Sequence, residues 1–291
     1  MRGTAERAKA NPKRGAAEQS EAREFTSRGD AHRSTARAAR RAHGGNFQMK
    51  WGVITFPGSL DDMQAAYVLD ALLGESVVRV WHKDTTLDHL DCVVLPGGFS
   101  YGDYLRCGAM ARFSPIMRAV GEFAAAGKVV IGICNGFQIL CEAGLLPGAL
   151  IRNRGLSFVC QRVHIRVEDA DTLFTNRCHR GDVLDIPVKH GEGCYVADDA
   201  TMLALEARRQ IVLRYTDVEG RVTPESNPNG SLGAIAGIRS ARGNVFGMMP
   251  HPEHACERLV GSEDGRKIFL SVIAAAGVAA EPVAAKVVSG P

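Results

Sequence analysis

Cys134 sits in the stretch GICNGFQ (132–138), at the end of the apolar run KVVIGI (128–133). A cysteine placed between a strand and a helix has the layout of a nucleophile elbow. The turn there is sharp and its flanks need small side chains, which Gly132 and Gly136 supply. The helix that follows points its N-terminus at the sulfur, and its N–H groups and dipole favour thiolate over thiol. The same residues also fit a buried cysteine behind a core strand, as most free cysteines are. A nucleophilic thiol needs a base, and the base needs an orienting group. MMPHPE (248–253), at another strand end, offers both. His251 can exchange a proton with Cys134 and later protonate a leaving amine. Glu253 can hold the imidazole and stabilise its cation. Pro250 and Pro252 stiffen the backbone on either side. Taken alone, HPE fits a solvated surface loop as well.

Attack on an amide carbonyl puts negative charge on oxygen, which two aimed N–H donors can stabilise. The backbone N–H of Asn135, next after the nucleophile, is one candidate. The N–H of Gly98 in PGG (96–98) is the other, because glycine lets backbone approach a ligand closely. Without Cys134, PGG would read as a strand-exit turn. HGEG (190–193) borders a substrate pocket or forms a glycine-rich turn, and NPNGS (227–231) is a turn signal. His251, His254 and Cys256 match no usual metal spacing, so no metal site is expected. LPGGFSYGDYLR (95–106) is not a GxGxxG fingerprint, and the chain has no GxxxxGK[ST] phosphate loop.

Alternating strands and helices must position these residues. Strands are expected at 50–56, 76–82, 91–98 and 128–133. Helices are expected from a Ser59 cap to Leu73, from a Ser114 cap with Pro115 in the first turn to a stop at Gly127, and over 137–144. That order implies an α/β fold with a mostly parallel sheet and helices on both faces. Ligands then gather at the carboxyl ends of the strands, where PGG and Cys134 both lie. The second half forms a smaller, strand-rich region, with strands at 158–167, 183–190, 210–217, 234–238 and 244–249. A closing helix, capped near Ser262 and ended by Gly277, follows. No internal repeat is present.

The domain is expected over 49–277. Residues 1–48 nearly lack large apolar side chains and read as a disordered leader or a non-native start, with Met49 directly before the first strand. Residues 278–291 read as a frayed tail. Residues 1–48 carry 11 Lys/Arg against 5 Asp/Glu, so the body is mildly acidic although the whole chain is +3. No basic stripe suggests nucleic acid, no apolar run approaches the ~18 residues of a membrane span, and no secretory signal is seen. The eight cysteines are scattered without a CxxC pair, which fits a reduced, cytoplasmic protein.

Jointly, these motifs resemble the class I glutamine amidotransferases. That family uses a G-x-C-x-G-x-Q elbow and a later H-x-E, met here by Gly132, Cys134, Gly136, Gln138, His251 and Glu253. The blocks at 95–109, 187–193, 227–231 and 247–253 are similar to one branch of it, the stand-alone glutaminase subunits of the bacterial purine pathway. The resemblance covers about residues 49–276. His254 stands where that branch often has Arg, and Cys194 where it often has Asn or Arg. The resemblance implies a flavodoxin-like fold, L-glutamine as substrate, a Cys134 thioester, and pocket roles for Gly97, Gln138, His190 and Glu192. It implies no cofactor in this chain. ATP and Mg belong to a large synthetase subunit that uses the ammonia to make an amidine from formylglycinamide ribonucleotide, and a small bridging subunit joins the two. An amidotransferase of another synthetase would more usually carry His at 137 and Leu or Met at 135, where this chain has Phe137 and Asn135. A non-catalytic scaffold would lack part of the Cys134, His251, Glu253 set, and a dienelactone-hydrolase-type enzyme would show an Asp and a lone His.

Overall fold

The computed structural model describes residues 48–280. The leader expected over 1–48 lies outside the described residues except for Gln48, as does the tail beyond Ala280. Among the described residues one sheet has nine strands, in the order β2 (Ser76–Trp81), β1 (Lys50–Thr55), β3 (Cys92–Leu95), β4 (Val129–Ile133), β11 (Val245–Met248), β10 (Ile235–Arg239), β9 (Ile211–Thr216), β6 (Val159–Val167) and β7 (Val183–His190). β1 (Lys50–Thr55), β2 (Ser76–Trp81), β3 (Cys92–Leu95), β4 (Val129–Ile133) and β11 (Val245–Met248) are all parallel. β3 and β11 are buried along their whole length, as the continuous apolar runs CVVL and VFGM require of strands covered on both faces.

The strand-rich second half extends this same sheet. β6 (Val159–Val167), β7 (Val183–His190), β9 (Ile211–Thr216) and β10 (Ile235–Arg239) add on as antiparallel neighbours beyond β11. A separate two-stranded ribbon pairs β5 (Ala149–Ile151) with β8 (Cys194–Val196). β7 alternates buried and half-buried residues, the period-2 pattern of a strand with one covered face.

The helices cover both sides. α1 (Asp62–Tyr67) continues as a wider π-helical turn (Val68–Leu72). α2 (Ile116–Ala125) and α3 (Asn135–Glu142) flank β4, α4 (Asp199–Ala207) precedes β9, and α5 (Arg266–Ala280) closes the domain. Register shows the two faces. Trp51 pairs with Cys92, and Leu95 with Gly132, so Trp51 and Gly132 belong to opposite faces. Trp51 meets Phe269 of α5 at 6.4 Å, whereas Gly132 faces Gly136 and Leu140 of α3.

Several helix ends differ from expectation. Ser59 does not cap α1: its hydroxyl accepts the Phe56 N–H (3.0 Å), while the Leu60 and Asp61 N–H groups donate to Gly97 O, so the helix starts at Asp62. Ser114 does not cap α2 through its side chain, which bonds Tyr101 Oη at 2.8 Å instead. α3 begins at Asn135, immediately behind Cys134, rather than at Phe137. α5 starts at Arg266 rather than near Ser262 and runs through Gly277 to Ala280, so the expected tail begins inside the helix. One helical glycine among alanines costs only about 1 kcal/mol. α4 was not expected; Asp198 caps it by accepting the Thr201 N–H at 2.7 Å. Among the described residues no helix is long and apolar enough to cross a membrane.

The backbone of α3 passes close to that of β3. A Cβ on Gly136 would lie 1.9 Å from the Leu95 carbonyl oxygen. Gly136→Ala should therefore lower stability by roughly 1–3 kcal/mol or prevent folding, measured as a drop in the urea midpoint. A midpoint equal to that of the parent chain would contradict this packing.

Candidate active site

β4 ends at Ile133, and Cys134 turns the chain with φ 50° and ψ −106°. A side chain disfavours that backbone region. Two bonds hold it: the Cys134 N–H donates to Met248 O (2.8 Å), and its carbonyl accepts the Gln138 N–H (3.2 Å). Gly132 and Gly136 leave room for the turn, since a Cβ on Gly132 would lie 2.6 Å from Gly136 O. The thiol is nearly buried, and Sγ approaches the Lys189 carbonyl at 3.8 Å.

His251 follows β11, the parallel neighbour of β4. Its N–H donates to Pro187 O (2.8 Å), which anchors it against β7. Its Nδ1 lies 2.6 Å from Glu253 Oε1, and both side chains are 1% exposed or less. Nδ1 therefore carries a proton, and Nε2, which has no hydrogen-bond partner among the described residues, is left for the neighbouring Cys134. Burial works against charge on this ring. The Glu253 carboxylate and then the Cys134 sulfur outweigh it and raise the pKa to about 10. Both favour the imidazolium form, the partner a thiolate needs.

Of the two expected oxyanion donors, Asn135 directly follows Cys134 and Gly98 directly follows Gly97, which borders the His251 ring. Asn135 is the first residue of α3, so its N–H has no partner within the helix. Gly98 forms an isolated antiparallel bridge with Ser59, in which the bonds run from the N–H groups of Leu60 and Phe99 rather than from that of Gly98. Gly98 adopts φ +141°, and a Cβ there would lie 2.6 Å from Leu60 N. Asn135 Oδ1 accepts the Ser100 N–H (3.2 Å), tying the loop that carries Gly98 to the helix behind Cys134.

The expected pocket residues divide. A Cβ on Gly97 would lie 2.6 Å from His251 Cε1, so Gly97 borders the imidazole. Gln138 is engaged at both ends: Oε1 accepts from Asn135 Nδ2 (2.9 Å) and Nε2 donates to Glu192 O, pinning the 190–193 turn to α3. His190 is buried beneath that turn between Asn153 and Asn229. Burial and the His251 charge lower its pKa to about 4, so it is neutral. The Glu192 carboxylate reaches the rim, 3.6 Å from Arg152 Nε and 3.5 Å from the Cys107 N–H. Cys256 donates to Pro252 O (3.1 Å), and Cys194 is buried in β8.

Two residues escaped the sequence reading. Asp61 is buried with Oδ2 3.7 Å from His251 Nδ1 and Oδ1 2.8 Å from His254 Nε2. Lys189 Nζ also contacts Asp61 Oδ1. Asp61, His251, Glu253 and His254 place their polar atoms within 4.8 Å of one another, close enough to share a cation. The Lys189 ammonium already supplies that positive charge, 3.2 Å from His254 Nε2.

A raised histidine pKa has a definite sign in stability. Its contribution is complete below the unfolded value near 6.5 and is lost as pH rises towards 10. Stability should thus fall across pH 6.5–10 by up to about 1.4 kcal/mol per unit from this group. His251→Gln should flatten that slope in urea midpoints measured at pH 6, 8 and 9.5; an unchanged slope would contradict the assignment.

Known proteins share this arrangement of elements. The CobB/CobQ-like glutamine amidotransferase domain family matches residues 48–267. "Phosphoribosylformylglycinamidine synthase subunit PurQ" of Moorella thermoacetica is 56% identical over 225 residues, spanning 77% of this chain and 95% of that protein. The protein of the same name from Gloeobacter violaceus is 54% identical over 228 residues, 78% of this chain and 98% of that one. In the structure of PurLQS from Thermotoga maritima, one chain superposes with a TM-score of 0.70 at 42% identity, covering 79% of this chain and all of that chain. On these matches the chain belongs to the glutamine amidotransferase family.

Proposed function

We propose that this chain is the glutaminase subunit of phosphoribosylformylglycinamidine synthase. The observation that supports the chemistry is that β4, which ends at Cys134, and its parallel neighbour β11, which leads to the buried His251–Glu253 pair (Nδ1 to Oε1, 2.6 Å), end side by side. The specific role is supported by relatives of that name at 56% and 54% identity along nearly their whole length.

The Cys134 thiolate attacks the side-chain carbonyl carbon of L-glutamine, and the C=O electron pair moves to oxygen. The N–H groups of Gly98 and Asn135 receive that oxyanion. On collapse the C–N bond breaks, His251 gives its Nε2 proton to the leaving nitrogen, and ammonia departs. Glu253 keeps the ring oriented throughout. Water then attacks the glutamyl thioester, His251 takes its proton, and glutamate leaves as the C–S bond breaks. Gly97, Gln138, His190 and Glu192 shape the glutamine pocket, the middle two by fixing the 190–193 turn and Glu192 by facing its mouth.

Ammonia passes to a large synthetase subunit, where ATP and Mg drive formylglycinamide ribonucleotide to the amidine in the cytoplasm. A small bridging subunit completes the complex. The Thermotoga maritima assembly, PurLQS by name, supports a multi-subunit partner.

Cys134→Ala should cut glutamine-dependent amidine synthesis by the assembled complex roughly a thousandfold or more, while ammonia-dependent synthesis continues at the parent rate. Loss of both activities together would contradict the division of labour. The isolated chain should release ammonia from glutamine slowly and speed up when the synthetase subunit is added; a rate indifferent to that subunit would count against coupling.

A further inference from the structure

Two acids adjoin at the start of α1, and they turn in different directions. Asp62 accepts from Thr55 Oγ1 (2.7 Å) and pairs with Arg79, away from the thiol. Asp61 turns inward beside His251. Its Oδ1 is held by His254 Nε2 and Lys189 Nζ, which leaves Oδ2 as the oxygen nearer to the imidazole Nδ1. The resulting pair is a dipole. Its negative end lies 3.7 Å from the ring, and its positive end is anchored on the far oxygen and is partly exposed. Gly97 makes the approach possible, since a Cβ there would lie 2.5 Å from Asp61 Oδ2 and 2.6 Å from His251 Cε1. Lys189 touches both sides of the site, with its carbonyl at the Cys134 thiol and its ammonium on Asp61.

We infer that Asp61 is a second carboxylate for the His251 imidazolium, a positioning residue whose charge, set by Lys189 and His254, tunes the proton affinity of that ring. The inference rests on the Cys134–His251 reading above and goes beyond it. The charged and titratable groups around His251 are Cys134, Glu253, Asp61, Lys189, His254 and His190. Of these, Glu253 binds Nδ1 directly and sets the orientation. Asp61 makes no hydrogen bond to the ring and acts through space. A carboxylate at this distance favours a cation, and a buried one is little screened.

The test follows the ring titration of His251 by NMR in ¹⁵N-histidine-labelled full-length protein, its signal assigned by its loss in His251→Gln. Asp61→Asn keeps an acceptor and removes the charge; it should lower the His251 pKa by about one unit. Lys189→Gln keeps a donor to Asp61 and removes the opposing charge, so it should raise the His251 pKa. A lowered titration in Asp61→Asn together with a raised one in Lys189→Gln supports the inference, because mere loosening of the fold would move both variants the same way; the reverse pair would overturn it. Shifts of the same sign, or none in either variant, would overturn it. If Asp61→Asn does not fold, Lys189→Gln decides alone: an upward shift supports the inference and an unmoved or lowered titration overturns it. Iodoacetamide labelling of the parent chain tests the underlying reading separately. Cys134 should react at neutral pH faster than the exposed Cys160, and failure there would sink the thiolate–imidazolium pair whatever the variants do.

Discussion

The Cys134 N–H bond to Met248 O, 2.8 Å long, is the interaction on which the site depends. It is the last bond of the parallel pairing between β4 and β11, in which Ile133 lies opposite Met248. The two strands leave the sheet at the same level, so the nucleophile and the segment carrying His251 and Glu253 are delivered side by side. A slip of one residue would turn each side chain to the other face. The same bond steadies Cys134 in its strained positive-φ conformation, a state that costs on the order of 1–3 kcal/mol by itself. The close fit of Gly132 and Gly136 around the turn offsets that cost through burial of the α3 face.

Charge is the second constraint. His251 and Glu253 are removed from water, and an isolated ion there would be expensive. They are tolerated because each supplies the other's counter-charge, with Asp61 and Lys189 forming a further compensated pair at the ring's edge. The neutral His190 below adds no charge to this set. The outcome is a buried imidazole whose protonated form is favoured by the carboxylate beside it.

Much of this was readable from the amino-acid order. Glycines around Cys134 and prolines around His251 mark strand exits, and strand exits of one parallel sheet meet at one edge. The missed residues failed for a physical reason. Asp61 and Lys189 look like ordinary surface charges, and only tertiary packing shows that they face each other across 128 positions of sequence. Ser59 and Ser114 were misassigned as caps because their hydroxyls are taken by Phe56 and Tyr101, contacts that local pattern does not encode. α4 escaped because only Leu205 is buried along it, leaving almost no apolar periodicity. The strand-rich half was recognised, but its place as an antiparallel wing of the same sheet depends on pairing between distant segments.

Asp61 and His254, in hydrogen-bond contact, are 193 positions apart along the chain. No short fragment can bring such groups together, and the entropy of closing so long a loop is recovered only once the sheet between them exists. The surroundings of His251 are therefore joined by contacts of high sequence separation, the kind whose closure entropy is recovered only together with the rest of the domain.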